Sequence, residues 1–387
     1  MTESENRKKV LIIFPDHWLA YSPTVTNIFE ILSERYDVQV VAVELMVKNK
    51  AACIRVEDQN VSYVRFPKIP RKIWTAMCIF EEQFNKILGR RFCNINFFRI
   101  LQAWILYKKC KKIEADVVIG VDAVGFYVAQ KIFTCAHVVS LEISTDDFFY
   151  RKMFQNAASI QSLIIQSRER LHLLNLLLKP EQKVIIAQNA PVLREEEISP
   201  EFNSRFIYLG SGNLTMGIKF LFDYFSHYPK HSLTFKGLFD AEYIYKHFPH
   251  VKNSKNIEFD DAFVSNRNVQ KYLAQFSIGF CFYDFAHVAE SAKQNMLHGP
   301  SGKVFNYFAA KLPIIASDIP GFQMIKEYGA GILLKDPTPE NIDDAVENIR
   351  SNYKEYSDNA LKAAKDFCFK KSFMPFVNHV EAQFGRV

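Results

Sequence analysis

Two short stretches carry residue types suited to holding an anion. Gly210-Ser211-Gly212-Asn213-Leu214-Thr215 follows an apolar run and precedes a helical pattern that starts near Gly217. Glycines there let backbone approach a ligand closely, and the following helix offers free N–H groups. The plainer alternative is a tight strand-to-helix turn. The second stretch is His298-Gly299-Pro300-Ser301-Gly302-Lys303-Val304-Phe305-Asn306-Tyr307. Its Gly/Pro/Ser turn marks a helix start that Ser301 can cap, and Lys303 puts a cation in the first turn, where the macrodipole disfavours one. An anion held there accounts for that lysine; a solvated surface lysine is the plain alternative.

The N-terminal half offers further polar candidates at the ends of apolar runs. Glu142 follows such a run and precedes Ser144-Thr145-Asp146-Asp147. It therefore belongs either at a strand's carboxyl end or in an exposed acidic loop that starts a helix. His17 follows the first apolar run in another loop, and His17 and Asp146 are taken as candidates to face a cleft. No ligand cluster with metal spacing accompanies these residues, so no metal site is expected. The seven cysteines form no C-x-x-C pair and are odd in number, which suggests neither a zinc site nor a disulfide framework.

The elements that position these residues follow from periodicity. Apolar runs at 10–14, 38–43, 117–119, 138–141, 163–165 and 184–187 read as buried strands, and helical patterns lie between them. Ser22 and Pro23 start one helix, followed by Val25, Ile28, Phe29 and Leu32 at helical spacing. Strand, helix, strand at this spacing implies parallel pairing with right-handed crossovers. The segment 188–204, with two prolines and three successive glutamates, breaks the rhythm. It restarts at 206–209, 233–235, 257–259, 278–283, 314–316 and 332–334. The expected organisation is a first α/β domain over 1–190, a linker over 191–204, a second α/β domain over 205–370 and a helical segment over 371–387. In doubly wound sheets ligands bind beyond the carboxyl ends of the strands, so two such domains are expected to face a central cleft.

Length and composition agree with this organisation. A chain of 387 residues with 49% apolar and 23% charged residues has the make-up of a globular protein of about two domains. No run approaches the ~18 uncharged apolar residues of a spanning helix. The start, MTESENRKK, lacks the apolar core of a secretory signal. A cytoplasmic location is expected.

The stretch Gly-Pro-Ser-x-Lys-Val-Phe-x-Tyr-Phe-Ala-Ala-x-x-Pro-Ile-Ile-Ala-Ser-Asp, at 299–318, resembles the nucleotide-sugar signature of retaining glycosyltransferases of the GT-B fold, family 4. Asn256-Ile257-Glu258-Phe259, Tyr272-Leu273-Ala274, Ile278-Gly279-Phe280 and Gly329 to Leu333 are similar to further segments of that family's C-terminal domain. Ser22-Pro23 and Val139-Ser140-Leu141-Glu142 are similar to acceptor-domain features of bacterial polysaccharide enzymes. The resemblance implies two Rossmann-like domains, the second holding a nucleotide-sugar donor and the first a glycan or lipid-linked acceptor. It implies transfer with retention of configuration and no cofactor or metal. Ser301, Gly302 and Lys303 match the diphosphate cradle, with Gly210, Ser211 and Gly212 opposite. Glu142 and Lys303 take the catalytic roles, Glu142 by orienting hydroxyls. Asp146-Asp147 is similar to metal-binding aspartates of a different glycosyltransferase fold.

Departures are equally specific. Asn306 and His298 stand where the family has paired glutamates, with Asn306 still able to bind the donor by a hydrogen bond to a ribose hydroxyl; Ser211 and Met216 replace its first-loop cations, and Lys311 replaces a C-cap glycine. They motivate an alternative, a noncatalytic module that binds nucleotide or glycan.

One segment stands apart in charge. Between Arg65 and Lys112, twelve Lys/Arg face two Glu, a charge of +10 against +6 for the whole chain. Trp74, Phe80, Phe84, Phe92, Phe97, Phe98, Trp104 and Tyr107 lie among them, and Ile73, Met77, Phe80, Phe84 and Ile87 form a stripe at helical spacing. Basic, aromatic, amphipathic helices suit an anionic membrane surface, with Arg90, Arg91, Lys108 and Lys109 as candidate contacts; core packing under a solvated basic face is the alternative. No nucleic-acid-binding signature is present.

Overall fold

The computed structural model describes residues 7–44, 54–67, 70–86, 95–143, 147–194, 201–288 and 290–384. The chain divides into two units: 1–187 with 372–387, and 188–371. The C-terminal helix Phe369–Phe384, which contains Pro375, thus returns to the first unit from Ser372 onward.

The first unit holds β1 (Lys9–Phe14), β2 (Asp37–Glu44), β3 (Val61–Arg65), β4 (Val117–Val121), β5 (Ala136–Ser140), β6 (Ile160–Ile165) and β7 (Lys183–Ile186). Their order is β3-β2-β1-β4-β5-β6-β7 with every pair parallel. The central runs are buried on both faces, which is why they read as continuous apolar stretches rather than alternating ones. β3 is the strand that apolar runs do not reveal: VSYVR is broken by Ser62, ends in Arg65 and is half-buried at the sheet edge. Ser22 precedes the helix Pro23–Ser33, but its side chain makes no capping bond; its carbonyl accepts from Thr26 instead.

The second unit holds β8 (Arg205–Leu209), β9 (Ser232–Lys236), β10 (Ile257–Asp260), β11 (Ile278–Cys281), β12 (Ile314–Ser317) and β13 (Gly331–Leu334), in the order β10-β9-β8-β11-β12-β13, all parallel. Each sheet reverses its direction of growth once, between β1 and β4 and between β8 and β11. That reversal splays the flanking loops and opens a crevice at the carboxyl ends. Among the described residues no helix is long and apolar enough to cross a membrane.

Candidate functional site

The β8/β11 switch point of the second unit gathers most of the anion-binding candidates. Phe280 pairs with Tyr208 in register, so Gly210 emerges level with Phe282, one residue before Tyr283. The helix Gly302–Ala309 is pinned beside them by Tyr307. Its ring lies on Gly279, where a Cβ would stand 2.6 Å from ring carbons. Its hydroxyl accepts from the Leu209 amide at 2.8 Å and donates to the Phe280 carbonyl at 3.2 Å. Tyr307 is fully buried and bridges both central strands. Residues four apart share a helix face, so the same anchor fixes the direction of Lys303.

Lys303 donates to the Tyr208 hydroxyl at 3.3 Å and lies 4.5 Å from that ring's centre and 6.0 Å from the Tyr283 ring. A Cβ on Gly210, whose φ is +151°, would stand 3.1 Å from the lysine nitrogen. The glycine therefore brings backbone against the cation. Burial pushes the Tyr208 phenol well above its ordinary range and Tyr283 up to about 12. Both stay neutral and offer ring faces rather than charge. No described carboxylate forms an ion pair with Lys303.

Lys236, at the end of β9, makes the contrast. It is 3% exposed, lies 2.7 Å from Asp260, and donates to the Ala262 carbonyl. Tyr272 also donates to Asp260 at 2.9 Å. Burial alone would raise the Asp260 carboxyl, but these donors hold it low. Lys236 is thus neutralised, whereas Lys303 has no ion-pair partner among the described residues and is left available to an anion.

The other candidates take different places. Ser301 occupies the N-cap position without making a capping bond. Gly302 faces Asn189, with 2.7 Å from its would-be Cβ to Nδ2. Gly212 backs onto Phe239 and Ile244, a packing role. Ser211 gives its carbonyl to the Tyr208 hydroxyl at 3.0 Å. Asn306 is half-buried one turn along the helix from Lys303. Lys311 adopts φ +59°, the left-handed conformation of the glycine it replaces. His298 ends the preceding helix with a buried Nδ1 that has no hydrogen-bond partner among the described residues. His231, Asp343 and Glu347 form a cluster of metal-type ligands near the amino end of β9, where Lys230 lies 3.2 Å from Glu347 and 3.7 Å from Asp343.

In the first unit, Glu142 lies exposed two residues beyond β5. Its amide and that of Leu141 donate to Asp122, at 3.0 and 2.7 Å. Asp122 follows β4 directly and holds φ +52°. Burial lifts its carboxyl to about 7 against the pull of those two amides. Arg170, 5% exposed, donates to the Leu141 carbonyl, and burial lowers its pKa while Glu142 and Asp122 raise it. Asp147 caps the helix Phe148–Gln155 by accepting from Phe149 at 2.7 Å and pairs with Arg99 at 3.3 Å. Its partners make it a structural residue. His17 lies after β1 with Nδ1 2.6 Å from Asp16 and its ring on Trp18. Asp146, Arg90 and Arg91 lie outside the described residues. Lys108 lies 3.6 Å above the Trp104 ring and Lys109 is exposed beside it.

Tyr208 and Asp122 carry no motif of their own, and Tyr307 lies within the 299–318 stretch without a role assigned to it there. Position was the available signal: Tyr208 two residues before the glycine loop, Asp122 at the first polar step after a buried strand.

No protein-family model matches the chain and no curated protein matches it. Solved structures do. The pneumococcal O-GlcNAc transferase GtfA, in complex with UDP and GlcNAc, is 11% identical with a TM-score of 0.61 over 98% of this chain and 99% of that one. Anabaena HepE, in complex with UDP and glucose, is 10% identical with a TM-score of 0.61 over 97% and 100%. The lipopolysaccharide outer core galactosyltransferase WaaB is 13% identical with a TM-score of 0.53 over 97% and 99%. At these identities the likeness is one of fold. The chain has the two-unit α/β architecture of GT-B glycosyltransferases.

Proposed function

We propose that the protein is a glycosyltransferase that moves a sugar from a nucleotide-sugar donor to a glycan or lipid-linked acceptor. The observation that carries the reading is Lys303: a half-buried cation at a helix start, beside the switch point, with neutral rings around it and no ion-pair partner among the described residues. A diphosphate supplies the missing charge. In transfer, the bond from anomeric carbon to phosphate oxygen breaks, the acceptor hydroxyl bonds that carbon, and its proton leaves with the diphosphate. Charge growing on the leaving oxygen is what Lys303 and the helix N-terminus stabilise, so no metal is required. Retention of configuration follows from the resemblance of 299–318 to the retaining family. UDP as the leaving group is supported by the nucleotide named with GtfA and HepE. That GtfA and WaaB are named as transferases argues against a noncatalytic module.

We also place the acceptor-binding unit at an anionic membrane surface, in the setting of bacterial surface polysaccharide. The helix Arg71–Phe84 exposes Ile73, Ile79 and Phe80 at 53%, 56% and 60%, which argues against the core-packing alternative for this stripe.

Incubation with radiolabelled nucleotide sugars, with and without EDTA, tests the enzyme. Slow donor hydrolysis undiminished by EDTA is the result expected. An absolute requirement for manganese would overturn the metal-free mechanism. Binding of UDP with no turnover of any donor would leave the module reading.

A further inference from the structure

The helix Phe97–Cys110 is apolar on two faces. Ile105, Leu106 and Cys110 enter the core of the first unit. A second stripe, Ile100, Ala103, Trp104 and Tyr107, runs at i, i+3, i+4, i+7 on the other side, where a solvated helix carries polar residues. This stripe is one wall of a groove of about 410 Å³, within the ~300–1,000 Å³ typical of ligand sites. Its buried floor is Ala103, Val128 and Phe149, and Tyr127 and Phe148 form the opposite wall. Trp104 is 50% exposed and Ile100 38%, an unusual cost unless something covers them.

The rim is cationic in a regular way. Lys108 lies over Trp104 at 3.6 Å, Lys111 over Tyr107 at 5.5 Å, Lys131 over Tyr127 at 5.5 Å and Lys152 over Phe148 at 5.7 Å. Four of the groove's aromatic rings thus each carry a lysine, and none of the four lysines pairs with a described carboxylate. At the Ile100 and Phe148 end stands Arg99, bonded to Asp147 and close enough to Asp122 to influence its carboxyl. The groove therefore leads toward the carboxyl edge that carries Glu142.

We infer that this groove holds the hydrocarbon chain of a phosphorylated lipid acceptor, with the lysine rim taking the phosphate. The inference rests on the lipid-linked form of the acceptor proposed above and assigns it a site. The apolar floor selects a chain, the cations select an anionic head, and small Ala103 and Val128 leave the depth a chain needs.

Titration calorimetry of the full chain with monomeric decyl phosphate tests it, with decanol and inorganic phosphate as controls. Saturable binding of decyl phosphate, at least tenfold tighter than of either control, is expected. Ala103→Phe, which fills the floor, and Lys131→Gln with Lys152→Gln, which strips the rim, should each weaken it about tenfold or more. UDP affinity and the melting curve measured on the same samples report folding. Should Ala103→Phe fail to fold, Trp104→Ala takes its place. Wild type that ignores decyl phosphate yet sediments with anionic vesicles would overturn the groove in favour of simple surface insertion, as would variants that bind decyl phosphate like wild type. Loss of UDP binding with intact decyl phosphate binding would count against the donor reading and leave the groove standing.

Discussion

Lys303 rests its ammonium against the face of Tyr208, 4.5 Å from the ring centre, while donating to that ring's hydroxyl at 3.3 Å. The hydroxyl in turn donates to the Ser211 carbonyl at 3.0 Å. A neutral ring thus holds a charge in place without cancelling it.

Removing that charge should weaken nucleotide binding. A hydrogen bond to a charged group is worth roughly 1.5–3 kcal/mol, so Lys303→Ala should lose about tenfold or more in UDP affinity by calorimetry. Gly210→Ala should do the same for a different reason. Its Cβ would meet the lysine nitrogen at 3.1 Å in a backbone conformation with φ +151°. Unchanged affinity in both variants would remove the diphosphate from this place.

Tyr307→Phe keeps the ring on Gly279 but leaves the part-buried Leu209 amide without its acceptor. An unsatisfied buried donor costs about 1–3 kcal/mol, so the midpoint of denaturant unfolding should fall by that equivalent. UDP affinity should fall with it, because the helix that aims Lys303 loses its tie to both strands. A variant as stable as wild type would show that packing alone positions the helix.

His137 predicts how the first unit meets acid. It is fully buried, its Nδ1 lies 2.8 Å from the Ser162 hydroxyl, and its Nε2 has no hydrogen-bond partner among the described residues. Burial, aided by nearby His379, lowers its pKa to about 3. The unfolded chain, with a histidine pKa near ~6.5, binds the proton first. Stability is therefore complete above about 6.5 and falls by up to ~1.4 kcal/mol per pH unit from this group as pH drops toward 3. His137→Gln, which still bonds Ser162 and cannot titrate, should flatten that slope in unfolding curves taken between pH 7 and 4. Parallel slopes for the two proteins would place the acid sensitivity elsewhere.

Liposome co-sedimentation examines the basic, aromatic surface. Each lysine near an anionic bilayer contributes about 1 kcal/mol, and screening over about 10 Å at 0.1 M salt weakens it. Wild type should sediment with anionic vesicles at low salt and partly release at high salt. Lys108→Gln with Lys109→Gln should reduce the salt-sensitive part, and Ile73→Ser with Phe80→Ser the residual part. Indifference of the wild type to anionic vesicles at low salt would make the acceptor soluble.

What the sequence makes legible follows the range of the forces involved. Both-face-buried strands such as β1 and β4 announce themselves as apolar runs, and Lys303 is visible because it violates a local rule at a helix start. Tyr307 is not: its role needs Gly279 and Leu209, far away in the chain. The helical nature of residues after 371 is readable from local pattern, but the return of that helix to the first unit is not. It depends on Phe376 lying 5.1 Å from His137 and on Arg35 meeting Glu381. Ser22 and Ser301 show the reverse case, cap-type residues in cap positions whose hydroxyls form no cap.

The chain's return has a consequence for biosynthesis. The C-terminal helix covers His137 with Phe376 and closes on Tyr36 and Lys8 through Phe384. A ribosome that has finished β7 must still make the entire second unit before that cover emerges. At roughly 5–20 residues per second the interval is on the order of 10–40 s. During it the earlier-made half of the molecule presents an apolar face to the cell, while the later-made half can complete its own sheet first.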